Sequence, residues 1–282
     1  MFVTKARPGV GAGRALRRLG VSDSMVLVAL ALLCLVALLA PLLSPESTSV
    51  PSGSAFLAPG SSGHLLGTDE VGRDVLSRIL YGVRASWLSA LLVIASGVVI
   101  GGTVGLVAGS VGGWVDAALM RLTDAFLALP GPLLAIAVVA ALGPSLTHTL
   151  VAVMIVWWPF YARIVRGEIR ALAVRPFVEA ARLAGVSRSR IAFRHLLPGA
   201  AASTLVAASL DIGNLVLTLA ALSFLGLGAP APAPELGAMA ARGLPNLLEH
   251  WWVPVMPGIA VLVLAVIANL AGDALRNLLA DR

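Results

Sequence analysis

A run of twenty-two residues without a charge leaves a chain few places to put it. Such a run extends from Ser24 to Pro45, bracketed by Asp23 and Glu46. As a helix rising about 1.5 Å per residue it reaches about 33 Å, enough to cross the hydrocarbon of a bilayer. Uncharged runs recur at Ala85 to Val115, Ala125 to Ala162 and His250 to Gly272, and between Arg194 and Glu235 the one charge is Asp211. The composition agrees, with 59% apolar and 12% charged residues and a mean hydropathy of +0.95. A soluble domain carries nearer a quarter charged residues and a disordered chain is poor in apolar ones, so both classes are excluded. An integral membrane protein is left.

The runs predict six transmembrane helices in an all-α protein. The first covers 25–43, after a segment 1–24 that carries Lys5, Arg7, Arg14, Arg17 and Arg18. That start is like a signal peptide, but the apolar run is too long and lacks an A-x-A cleavage site, so an uncleaved helix is expected. A second helix lies in Ala85 to Val115. The 38 residues from Ala125 to Ala162 hold two more only if Gly143-Pro144-Ser145 joins them tightly. The fifth runs from about Pro198 to Leu222, and the sixth occupies the last run. With both termini cytoplasmic, sixteen of the twenty Lys and Arg residues fall inside and four fall outside (Arg73, Arg78, Arg84 and Arg242). This split follows the positive-inside rule, which also accounts for the pI of 10.9, and Trp251-Trp252 suits an outer aromatic belt. The expected layout is therefore an extracytoplasmic segment 44–84, a core domain 85–275 of five transmembrane helices with a cytoplasmic loop at about 163–198, and a cytoplasmic tail 276–282.

Within the second helix Gly97, Gly101, Gly105 and Gly109 recur every fourth residue, a stripe that admits another helix to close approach. Cys34, the only cysteine, reads as a packing residue. The segment Gly67 to Arg84 has an apolar face at helical spacing. With Thr68 as cap and Asp74 to Arg78 as an i, i+4 pair, it is expected to form an amphipathic helix lying on the outer surface.

The inner stretch Arg163 to Pro198 is longer than the other connections. Pro176 marks a new start, Gly185 a helix stop and Ser187 the cap of a following helix, predicting a helix-turn-helix elbow. Ala180, Ala181 and Ala184 make its first arm small-faced, so that another protein can approach closely. Membrane spans flank the elbow and its arginines serve topology, which argues against DNA recognition.

Glu179-Ala180-Ala181, Gly185, Ile191 and the ending His195-Leu196-Leu197-Pro198 resemble the EAA loop of binding-protein-dependent ABC importer permeases. GTDEVGRDVLSR from Gly67, LSFLGLG from Leu222, Trp251-Trp252 with Pro257-Gly258, and Gly272-Asp273-Ala274-Leu275-Arg276 resemble the C-type permease of dipeptide, oligopeptide and nickel importers. The resemblance spans about His64 to Arg282. It implies a type I importer permease fold and a subunit forming half of a translocation pathway for di- or oligopeptides, with nickel or another small solute as the alternative. It implies as partners a second homologous permease, two ATPase subunits that bind ATP and Mg and dock at Glu179 to Gly185, and an extracytoplasmic binding protein. The sequence departs from the family at Leu217-Thr218-Leu219-Ala220-Ala221, which lacks a common acidic residue, and at Leu236, where a tryptophan commonly follows the Pro-Glu.

The chain cannot form a Walker A site, because its one lysine is Lys5 and no glycine-rich turn precedes it. No catalytic elbow is present, and His64, His148, His195 and His250 show no metal-ligand spacing. No enzymatic role, metal, cofactor or nucleic acid is expected for this chain. Asp211 is the one acidic residue well inside a span, with Asn214 and Thr218 on nearly the same helix face. That stripe is a candidate part of the pathway. It could equally be an interhelical hydrogen bond, or the ion site of a secondary transporter, the rival reading.

Overall fold

The computed structural model describes residues 20–61 and 63–280. The basic residues Lys5 to Arg18 and the terminal Arg282 lie outside them. Among the described residues the protein is helical without β-strands. The long helices are α1 (Val21–Leu43), α2 (Val75–Val111), α5 (Leu146–Ala173), α8 (Leu197–Phe224) and α10 (Trp252–Ala280). Shorter helices are α3 (Gly113–Leu127), α4 (Gly131–Leu142), α6 (Pro176–Leu183), α7 (Arg188–Ile191) and α9 (Leu236–Gly243).

Five helices are long and apolar enough to cross a membrane, and a sixth span exists only if α3 and α4 count as one broken by an 84° bend. The third span therefore differs from a straight helix: α4 has 12 residues, about 18 Å, too short alone for the hydrocarbon. The break falls at Ala128 to Pro130, and Pro130 and Pro132 explain it, since neither has an N–H to continue a helix from α3. The joint at Gly143-Pro144-Ser145 forms where expected, with Gly143 at φ 90° and the Ser145 hydroxyl accepting from the His148 amide.

The middle of the bundle is packed from α1, α2, α4, α5, α8 and α10, around residues such as Leu33, Val93, Val139, Val153, Leu215 and Leu264. Cys34 is half-buried beside this cluster. The glycine stripe of α2 faces α5. A methyl group at Gly101 would collide with the Trp158 carbonyl, one at Gly105 would lie 2.5 Å from the Ala162 carbonyl, and at Gly97 it would meet the Tyr161 ring at 2.9 Å. Without a water-driven force between helices in lipid, such backbone proximity gains dispersion contacts that larger side chains would forbid.

The segment before α2 is not a surface amphipathic helix. The described residues between 44 and 74 form loops and turns, and the helix starts at Val75. Asp74, not Thr68, caps it, accepting from the Ser77 amide at 2.7 Å. The left-handed Gly67 and Gly72 hold the preceding chain out of helical conformation. From there α2 runs unbroken for 37 residues, about 55 Å, so its first turns stand beyond the hydrocarbon. The apolar face seen in the sequence is used: Val75 and Ile79 pack against Leu236, Met239, Trp252 and Val253 instead of lipid. Residues 44–74 with α9 thus cap one end of the bundle, while α6 and α7 form an elbow at the other.

Candidate functional site

Three regions hold the sequence-marked residues, beginning with the elbow. Pro176 occupies the first position of α6, where its missing N–H costs nothing, and the helix ends at Ala184. Gly185 follows at φ 77°, its amide donating to the Arg182 carbonyl while the Val186 amide donates to that of Ala181, a glycine-closed helix end. Ser187 takes the cap position of α7, but its hydroxyl makes no capping bond and lies 3.4 Å from that of Ser189.

The elbow's second arm is continuous with the next span. Arg188 to Phe224 is one helical run, passing through a π-helical turn at Ala192–Leu196 in which the Leu197 amide donates to the Ala192 carbonyl five residues back. This wider turn precedes Pro198 and lets the helix continue past a residue with no N–H.

Val178, Ile191, Ala192 and Leu196 are buried against Leu106, Val165 and Ile169, seating the elbow on α2 and α5. The opposite face is open: Glu179, Ala180, Ala184 and Gly185 are exposed and Ala181 half-buried. Around them stand Val174, Phe177, Leu183 and Phe193, exposed by 83, 49, 86 and 65%. The shaft below is braced from α3, where buried Asp116 accepts from Arg166 and Arg170, and Asp124 accepts from Arg163 at 2.6 Å.

The second region is the carboxylate of Asp211. Its Oδ2 accepts from the Trp157 indole N–H at 2.5 Å and the Tyr161 hydroxyl at 3.1 Å, both on α5. Its Oδ1 accepts from the Asn214 amide at 3.3 Å. Thr218 lies on the same face, but its hydroxyl donates to the Asn214 backbone carbonyl and does not reach Asp211. Trp157 and Tyr161 were not expected here. They lie 54 and 50 positions away in the chain, and a paired aromatic N–H and O–H on a neighbouring span is the only sequence signal that marks them.

The cap is the third region. Asp69 accepts from the backbone and side chain of Arg73, and Asp74 takes the His64 imidazole at 2.9 Å beside Ser77. The expected Asp74–Arg78 pair does not form, because those partners already occupy Asp74. Arg78, only 2% exposed, instead donates to the carbonyls of Thr48 and Pro232 and lies 3.5 Å from Asp69. Trp252 is also buried, its indole donating to the Thr68 carbonyl at 3.2 Å, so of the tandem tryptophans only Trp251 remains for an interfacial belt. Glu235 caps α9 through the amides of Gly237 and Ala238, and burial pushes its carboxyl above the ordinary carboxylate range against those bonds.

Several known proteins are similar to this chain along most of its length. The chain is 41% identical over 261 residues to the probable D,D-dipeptide transport system permease protein DdpC of Escherichia coli (strain K12), covering 93% of this chain and 87% of that protein. It is 40% identical to the dipeptide transport system permease protein DppC of Alkalihalophilus pseudofirmus, over 87% of this chain and 81% of that one. Among solved structures, a chain of the inward-facing MetNI methionine ABC transporter superposes with a TM-score of 0.57, covering 72% of this chain and 97% of that chain; at 22% identity this likeness concerns the fold. Residues 101–282 match the model of the binding-protein-dependent transport system inner membrane component. With an elbow seated on apolar spans and relatives of this similarity along nearly its whole length, the chain is a multi-pass membrane protein of the binding-protein-dependent transport system inner membrane component family.

Proposed function

We propose that this chain is a permease subunit of an ATP-driven importer for di- and oligopeptides. The observation that carries the reading is the elbow, whose small-residue face and exposed apolar rim are presented on a seat buried against α2 and α5. Relatives at about 40% identity are dipeptide transport permeases, which supports peptides as the cargo. In this reading the chain hydrolyses nothing itself. ATP and Mg are bound by two partner ATPase subunits, one of which docks on Glu179 to Gly185. A second, homologous permease completes the pathway, and an extracytoplasmic binding protein delivers peptide to the cap. The elbow end then faces the cytoplasm together with both termini, in keeping with the distribution of basic residues.

Purification from the native membrane should bring ATPase subunits along, and the reconstituted complex should import peptide only with ATP and binding protein. Uptake by this chain alone under an ion gradient would overturn the reading. For the topology, Cys34 is replaced and cysteines are placed at the exposed Ser189 and Ser52. An impermeant thiol reagent outside intact cells should label position 52 only, and labelling of position 189 would reverse the assigned sides.

A further inference from the structure

Asp211 lies midway along α8, 14 residues after its start and 13 before its end. A carboxylate so deep in a span is costly, by at least about 2.5 kcal/mol on insertion scales, unless something answers its charge. The two donors on Oδ2, Trp157 and Tyr161, are neutral. They fix the group, since Tyr161 is fully buried with its ring against Gly97, but leave its charge uncompensated. Among the described residues no Arg, Lys or His nitrogen lies within 4 Å.

The two oxygens differ. Oδ2 holds both short contacts, whereas Oδ1 has one long one, from the exposed Asn214 side chain. Oδ2 is thereby saturated by groups of the neighbouring helix, whereas Oδ1, bonded once and only from its own helix, keeps a lone pair for a further donor. A guanidinium fork needs an open lone pair on each carboxylate oxygen for its bidentate geometry, and only Oδ1 has one here. A primary ammonium needs one, and its other N–H groups can use the side-chain carbonyl of Asn214 and water.

We propose that Asp211 Oδ1, with Asn214 beside it, is the acceptor for the cationic amino terminus of a peptide in transit. This rests on the peptide-import reading. Trp157 and Tyr161 are positioning residues that aim the carboxylate from α5, and the single open lone pair on Oδ1 keeps binding weak enough for release.

The complete complex is reconstituted in proteoliposomes with saturating peptide-loaded binding protein. Asp211→Asn should assemble and hydrolyse ATP on stimulation, while peptide uptake falls about tenfold or more, the worth of a charge-assisted hydrogen bond. Asp211→Glu should retain more uptake than Asp211→Asn. On the unmodified complex, a peptide with a free amino group and a photoreactive diazirine side chain at its first residue should cross-link to the 157–161 and 211–218 segments during turnover. The same label at the last residue should not. Wild-type uptake by Asp211→Asn, or equal cross-linking from both peptide ends, overturns this inference and leaves peptide import standing. If the unmodified complex imports no peptide, the function and this inference both fall. If Asp211→Asn does not assemble, the cross-linking pattern decides by itself.

Discussion

At the cap, His64, Asp69, Arg73, Asp74 and Arg78 are each less than a tenth exposed, and each is bonded to another group of the same chain. At the elbow, Arg175, Arg182, Arg188, Arg190 and Arg194 are exposed, and among the described residues no carboxylate lies within 4 Å of them. Apolar residues divide in the same sense: Val75, Leu236 and Val253 are buried in the cap, while Leu183 and Val174 stand in the open on the elbow. The two ends are therefore held in different ways. The cap has little regular structure and one small apolar cluster, so polar contacts must hold residues 44–74 in place. The elbow is held by its buried face, which leaves its outer charges and apolar side chains exposed.

The cap's dependence on buried charge is the easiest part to break. Arg78→Ala removes the partner of two carbonyls and of Asp69 in an enclosed site. It should lower stability by about 3–5 kcal/mol, the usual cost of orphaning a buried charged group. Thermal unfolding of the complex in detergent measures this, and a shift no larger than that of an exposed variant such as Val50→Ser would show the network to be dispensable. Next in size, Ile191→Ala empties part of the elbow's seat, where Ile191 is 3% exposed. It should cost about 2–4 kcal/mol and loosen the elbow, seen as faster proteolysis or amide exchange at 176–196.

Glu235 sharpens the comparison through pH. Glu235→Ala should cost about 1–2 kcal/mol by removing a helix cap. The carboxyl has a higher pKa folded than unfolded, because burial disfavours its charge. Its contribution is therefore full below the unfolded pKa and is lost as pH rises through the raised folded value. Glu235→Gln should flatten that part of the stability–pH curve, whereas an unchanged slope would assign it to other groups.

The smallest stability change should carry the largest functional meaning. Leu183→Ser, at a residue 86% exposed, should alter stability by no more than about 0.5 kcal/mol, yet weaken ATPase co-purification and uptake together. Gly185→Val belongs to the same test, since a β-branched residue resists the φ of 77° found there. Undiminished ATPase association in both would remove the elbow from the coupling surface.

Much of this was readable along the chain because it depends on neighbours in sequence. Charge-free length marks α1, α2, α5, α8 and α10, the four-residue glycine period marks the contact of α2 with α5, and Pro176 with Gly185 marks both ends of α6. The bend between α3 and α4 also had a local signal, in Pro130 and Pro132, although apolar content alone reads that stretch as an ordinary span.

Other features were decided by competition among distant groups. In sequence Asp74 could pair with Arg78 one turn away; in the fold it is occupied by His64 and Ser77, and Arg78 turns to Pro232, 154 positions on. Thr68 could have begun a helix, but its hydroxyl donates to the Ser54 carbonyl and accepts from the Leu57 amide instead. Asp211 was recognisable as a charge inside a span, while the asymmetry of its two oxygens arises only where α5 crosses α8. Hydrophobic length and turn chemistry act within a few residues, so the order of residues is enough to specify a membrane bundle with an elbow. Each donor or acceptor has few bonds to give, and which distant group takes them depends on packing, so the cap network and the open lone pair on Asp211 Oδ1 were set only when the helices packed.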